Sequence, residues 1–159
     1  MTNKIFLNIY IFFLIFISHS LSADDLNINA KIIELDKSDK SIIAEGGVEV
    51  KDNKNNLIIS EKIKYDKIKQ ILNTYGETEI ITSENFKIKG ENIIYDNNKK
   101  IVSSDSKTQI TDRDGNTVFV NMFNYIVEKN MFLSSGEIKI TDNKSNEYYF
   151  SEIYIDEKK

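Results

Sequence analysis

Three sets of residues in this sequence have types and spacings that could do chemistry. Asp112-Arg113-Asp114-Gly115-Asn116 begins like a calcium loop, with oxygen donors at alternate positions. The match ends there, because Thr117 fills the slot that should hold Gly and Phe123 the slot for a bidentate Glu. The carboxylates are the second set, since a flanking pair can hydrolyse a glycoside. Yet Asp36, Asp66, Asp96 and Asp156 recur at a fixed period and each closes a strand, where turn formation explains them. The third set is Tyr65, Tyr95 and Tyr125, a column that could stack sugars or bases. Their alternation with Ile and Phe at strand spacing favours core or groove lining instead. The only histidine, His19, lies in the N-terminal apolar stretch, and there is no cysteine. Ser-His and Cys-His nucleophiles and His or Cys metal sites are thereby excluded. We expect no enzyme, no metal and no cofactor.

The elements that carry these residues repeat every thirty positions. Ile33, Ile63, Ile93, Phe123 and Ile153 form one column, and Leu35, Tyr65, Tyr95, Tyr125 and Ile155 the next. In the other half of the unit stand Ile42, Leu72, Val102 and Phe132, then Ala44, Thr74, Ser104 and Ser134, then Gly46, Gly76, Ser106 and Gly136. The columns lie two residues apart with polar residues between them, which reads as half-buried strands rather than helices. Turns follow at Asp52–Asn56, Asp112–Asn116 and Asp142–Asn146, rich in residues that tolerate left-handed backbone. The second unit deviates, with Thr82-Ser83-Glu84-Asn85-Phe86 in that slot. After each turn the apolar phase restarts at Ile58, Ile88, Val118 and Tyr148 and then slips by one, as a bulge or sharp bend would produce. Each unit is one hairpin. Residues 26 to 41 read as a half unit, and four full units follow, about nine strands in all.

Of the 159 residues, 1–23 have the layout of a secretory signal peptide. Lys4 is the positive end, Ile5 to Ile17 the apolar run, and Ser22 or Ala23 the cleavage position. The run is short for a membrane span of about 20 residues. Residues 24–159 would form the mature domain, and loss of Lys4 takes its formal charge from −4 to −5. That balance gives no reason to expect nucleic acid. Without Cys there is no disulfide framework, and without Pro one device for blunting strand edges is missing. The last strand, near Tyr148 to Ile155, is expected to present an open edge.

The unit Ile42-Ile43-Ala44-Glu45-Gly46-Gly47-Val48-Glu49-Val50, a polar turn, then Ile58-Ile59-Ser60-Glu61-Lys62-Ile63-Lys64-Tyr65-Asp66 resembles the OstA-like domain. That family includes the lipopolysaccharide-transport protein LptA and the N-terminal region of the outer-membrane translocon LptD. The resemblance covers about residues 26 to 156. It implies an all-β fold, a bent β-jellyroll of stacked antiparallel hairpins, open at both ends. It also implies a periplasmic carrier or bridge that shields lipopolysaccharide acyl chains in an apolar groove. The implied partners are lipopolysaccharide, other Lpt domains stacked edge to edge, and the outer-membrane translocon.

By periodicity the groove face is Ile42, Val48, Val50, Ile63, Tyr65, Leu72, Ile80, Ile93, Tyr95, Ile110, Phe123 and Tyr125. Alternation alone cannot tell an open trough from a closed core, because both need inward-facing apolar side chains. Three other readings stand beside the carrier. The chain could be a split or truncated N-terminal domain of the translocon, which fits the aromatic cluster Tyr148, Tyr149 and Phe150. It could be a structural β-repeat for surface assembly, with a dry core. A carbohydrate-active β-helix would need carboxylates clustered on one face, which the register does not show.

Overall fold

A computed structural model describes residues 26–129 and 131–156, and every regular element in them is a β-strand. The expected signal peptide lies outside the described residues. The strands are β1 (Asn27–Asn29), β2 (Ile32–Asp36), β3 (Ser41–Lys51), β4 (Leu57–Asp66), β5 (Ile71–Ile81), β6 (Lys87–Glu91) and β7 (Ile94–Asp96). They continue with β8 (Ile101–Ser104), β9 (Thr108–Thr111), β10 (Thr117–Val120), β11 (Phe123–Ile126), β12 (Met131–Thr141) and β13 (Glu147–Asp156). All pairings are antiparallel.

The turns explain the hairpins. The Asp52 carboxylate accepts from the Lys54 amide (2.9 Å), the Asn56 amide (2.8 Å) and the Asn56 side chain (2.7 Å), while Asn55 takes a positive φ of 66°. Asp112 and Asp142 repeat this arrangement with Asn116 and Asn146. The supposed calcium loop is one of these turns, and both Asp112 oxygens are taken by hydrogen bonds within it. At the opposite ends of the strands Lys40, Gln70 and Lys100 share a φ of 53–55°, and Asp66 caps its turn by accepting from the amides of Ile68 and Lys69 at 2.9 Å.

The expectation of an open, bent jellyroll of about nine strands is corrected by the pairing. There are thirteen strands, and eight of them close a circuit: β5-β6-β9-β10-β12-β11-β8-β7 and back to β5. This is a closed eight-stranded antiparallel barrel, with β4, β3, β1, β2 and β13 attached outside it. Along one edge, β5 pairs with β6 through Glu77–Ile81 and with β7 through Ile71–Asn73. β12 likewise holds β11 through Met131–Leu133 and β10 through Ile138–Thr141. Between these two continuous strands the sheet divides into an upper blade, β6-β9-β10, and a lower blade, β7-β8-β11.

The glycine column shows where the sheet divides. Gly46, Gly76 and Gly136 have φ of 82°, 77° and 100°, and there β3, β5 and β12 shift register yet run unbroken for 11 residues. A side chain at such a φ costs roughly 1–2 kcal/mol. The third unit has Ser106 in that slot, outside the positive-φ set, and its strand is broken there into β8 and β9. The neighbouring rows are broken alongside it, at Asn92 between β6 and β7 and at Asn121–Met122 between β10 and β11. In the first unit the expected phase slip is a register shift between Ser60 and Lys62.

Small hydroxyl side chains line the inside of this bend. Thr74, Ser104 and Ser134, buried and thirty residues apart, bond to the carbonyls of Ile93 (3.1 Å), Glu91 (2.9 Å) and Met122 (2.6 Å). They bond carbonyls at or beside the strand breaks, and the Ile93 carbonyl also accepts from the Thr74 amide at 2.9 Å. Two apolar clusters flank them. One contains Ala44, Val48, Val50, Ile63 and Leu72, and the other Ile80, Ile88, Ile93, Val120, Phe123, Phe132 and Ile138. Ile58 packs against both.

Candidate functional site

Between the two blades lies a cavity of about 500 Å³. Ile58, Ile80, Ile88, Ile110 and Val118 line it from β4, β5 and the upper blade, and Tyr95, Val102, Tyr125 and Phe132 from the lower blade and β12. Its rim is polar, made by Asp52, Lys54 and Asn56, by Thr82, Ser83 and Glu84, and by Asp112 and Asn116, with Phe86 among them.

Burial falls from the bend toward the turns. At the bend Thr108, Val120 and Ile138 are 2–3% exposed. Two residues further along the same strands, Ile110, Val118 and Ile140 are only half-buried. The strand breaks thus set a sealed floor, and the divergence of the blades leaves apolar side chains facing an unfilled space. Among the described residues no group of three or more His, Cys, Asp or Glu is placed to hold a metal.

The twelve residues assigned to the groove face separate into distinct environments. Ile80, Tyr95, Ile110 and Tyr125 line the cavity. Val48, Val50, Ile63 and Leu72 are 0–1% exposed and belong to the first cluster, away from the cavity. Ile93 and Phe123 are buried in the second cluster, where the Phe123 ring stacks on Phe132 with centroids 5.8 Å apart. Ile42 and Tyr65 are half-buried, Tyr65 against the first cluster. The cavity also uses Val102 and Phe132, which stand in the column of Ile42 and Leu72, and Ile58, Ile88 and Val118, a column from which the groove face took no residue.

The sequence pattern of the OstA-like protein family matches residues 19–152. The chain belongs to the OstA-like family. Among solved structures it is similar to the crystal structure of LptH from Pseudomonas aeruginosa, described as the LptA homologous periplasmic component of the conserved lipopolysaccharide transport device. The TM-score is 0.63 at 16% identity, covering 70% of this chain and 82% of that one, a likeness of fold. No curated protein matches the chain.

Proposed function

We propose that this OstA-like domain carries lipopolysaccharide by sheltering acyl chain in the cavity between its blades. The observation behind this reading is the cavity itself, with walls of Ile, Val, Tyr and Phe under a polar rim. Its volume falls in the range of small-molecule sites, about 300–1,000 Å³. Burial is worth roughly 0.8 kcal/mol per CH₂, so a dozen carbons withdrawn from water supply on the order of 10 kcal/mol. The sugar and phosphate groups stay outside, in water beyond the rim, where their hydration costs nothing to keep.

The proposal extends to export by a cleavable signal peptide at 1–23 and to a bridging role. Among the described residues the outer edges of β2 and β13 are unpaired, which suits strand addition by other Lpt domains or by the translocon. Exposed Ile32, Ile33 and Leu35 at one edge and Tyr148, Tyr149 and Phe150 at the other are apolar enough to be covered in such contacts.

Native mass spectrometry of the purified domain with lipopolysaccharide tests the carrier reading. A one-to-one complex that survives dilution of the lipid is expected. Folded protein that binds no lipopolysaccharide at any concentration would overturn it.

A further inference from the structure

Four turns lie at this end of the strands, three of them at the cavity rim, and they are stitched together in pairs. The Asn56 side-chain oxygen accepts from the Ser83 amide at 2.9 Å, tying the turn after β3 to the turn after β5. The Asn116 side-chain oxygen accepts from the Asn143 amide at 3.1 Å, tying the turn after β9 to the turn after β12. Both bonds span 27 residues. The same stitch between the second and third turns would need an acceptor at position 86, opposite the Arg113 amide. Phe86 stands there and offers none. At the other end of the strands every neighbouring pair of turns is tied, through Lys67 to Lys40, Asn97 to Gln70 and Val127 to Lys100, amide to carbonyl.

The unstitched joint coincides with a short ladder. β6 and β9 pair only through Lys87↔Thr111, Ile88↔Ile110 and Lys89↔Gln109. No turn links them directly, because β7 and β8 intervene in the chain. The flanking ladders of the upper blade are longer, with five registered pairs between β5 and β6 and four between β9 and β10. Ile88 and Ile110 line the cavity on either side of this joint, and Phe86, the residue before β6, lines it as well.

We infer that the cavity loads sideways, by parting of β6 from β9, with Phe86 as the gate over the seam and a fatty acyl chain as what passes. This rests on the carrier reading above. An acyl chain needs no hydrogen bonds as it crosses the seam, whereas its sugar-phosphate headgroup does, so sideways entry lets the headgroup stay in water throughout. The parted strands lose three ladder pairs, and the stitched turns on both sides hold each half of the blade in place.

The test locks the seam. The chain has no cysteine, so Lys87→Cys with Thr111→Cys introduces a single pair, and directly opposed antiparallel residues have the Cα spacing a disulfide needs. Lys139→Cys with Tyr149→Cys, opposed across β12 and β13, is the control lock. A photoreactive residue at Tyr125 reports arrival of purified lipopolysaccharide over time, with circular dichroism to verify folding. Fast crosslinking in the reduced seam variant and the oxidised control, with at least tenfold slower crosslinking in the oxidised seam variant, is expected. Equal rates in all three overturn the gate and leave the carrier reading standing. No crosslink in any folded form removes both. As a second measure, Phe86→Asn restores the missing acceptor and should slow loading by about two- to tenfold, the span of one net hydrogen bond. Phe86→Leu, apolar and without an acceptor, should not slow it.

Discussion

The Thr74 hydroxyl and the Ile93 backbone form a closed pair: the hydroxyl donates to the Ile93 carbonyl at 3.1 Å and accepts from the Ile93 amide at 2.9 Å. Thr74 is 2% exposed and lies inside the bend, and Ile93 follows the break between β6 and β7. One side chain thereby fastens the lower blade to β5 at the point where the sheet divides. Thr74→Val keeps the shape and removes both bonds, together with the one the Thr78 hydroxyl donates to Thr74 at 2.8 Å. The Ile93 amide then has no partner in a buried place, and the expected loss is about 1–3 kcal/mol. Urea unfolding measures it, and Thr74→Ser should recover most of the stability.

Gly76 and Gly90 separate two reasons for having no side chain. Gly76 has a φ of 77° and open space around the position a Cβ would take. Gly76→Ala should therefore cost only the backbone term, roughly 1–2 kcal/mol. At Gly90 a Cβ would meet the Thr108 hydroxyl at 2.7 Å, against the buried floor of the upper blade. Gly90→Ala should cost more than Gly76→Ala, and Thr108→Ala should rescue it but not Gly76→Ala. Chemical denaturation of the four variants decides this.

Stability should fall at both extremes of pH, for different groups. The amide of Lys69 on Asp66, that of Lys99 on Asp96 and the Asn146 side chain on Asp142 hold these carboxyls below their ordinary pKa of 3.8. The bond from Lys64 holds Asp39 at about 2. Groups lowered on folding stabilise fully above 3.8, and that stability is lost as pH falls through their lowered values. Lys62, Lys64 and Lys139 are raised above 10.5 by Glu45, Asp39 and Glu147, so their contribution is complete below 10.5 and is lost as pH rises further. A melting-temperature profile should be level between these limits. Asp66→Asn with Asp142→Asn keeps one acceptor oxygen in each turn while removing the titration, and should flatten the acid limb at some cost in stability at neutral pH.

A charge placed at two apolar sites should have opposite consequences. Ile110 is half-buried and faces the cavity, so Ile110→Asp can hydrate and should fold while losing lipid binding. Ile63 is 0% exposed, so Ile63→Asp should unfold the domain. Circular dichroism and a lipid-binding assay on both variants separate the outcomes.

Much of this was legible in residue order. The thirty-residue columns and the Asp-to-Asn turns follow from alternation and from side chains that favour left-handed backbone. The closure of the barrel was not. Ser106 stands visibly in a glycine column, but its meaning depends on that slot taking a positive φ, which only the backbone discloses. The Tyr column shows the same limit for the site. Tyr65, Tyr95 and Tyr125 occupy equivalent positions, yet Tyr65 only packs on the first cluster, Tyr95 packs on that cluster and also lines the cavity, and Tyr125 lines the cavity. Equivalent phase along a strand says which face a side chain takes. It does not say whether the opposite blade closes on that face.

Site-resolved photo-crosslinking to lipopolysaccharide tests the carrier reading most directly, with the reactive residue placed in turn at Tyr95, Ile110 and Tyr125, at Tyr65 in the filled cluster, and at Glu79 in β5. The account predicts crosslinks at the three cavity positions and none at Tyr65 or Glu79. Crosslinks spread evenly over all five, or absent from the cavity positions in folded protein, would contradict it.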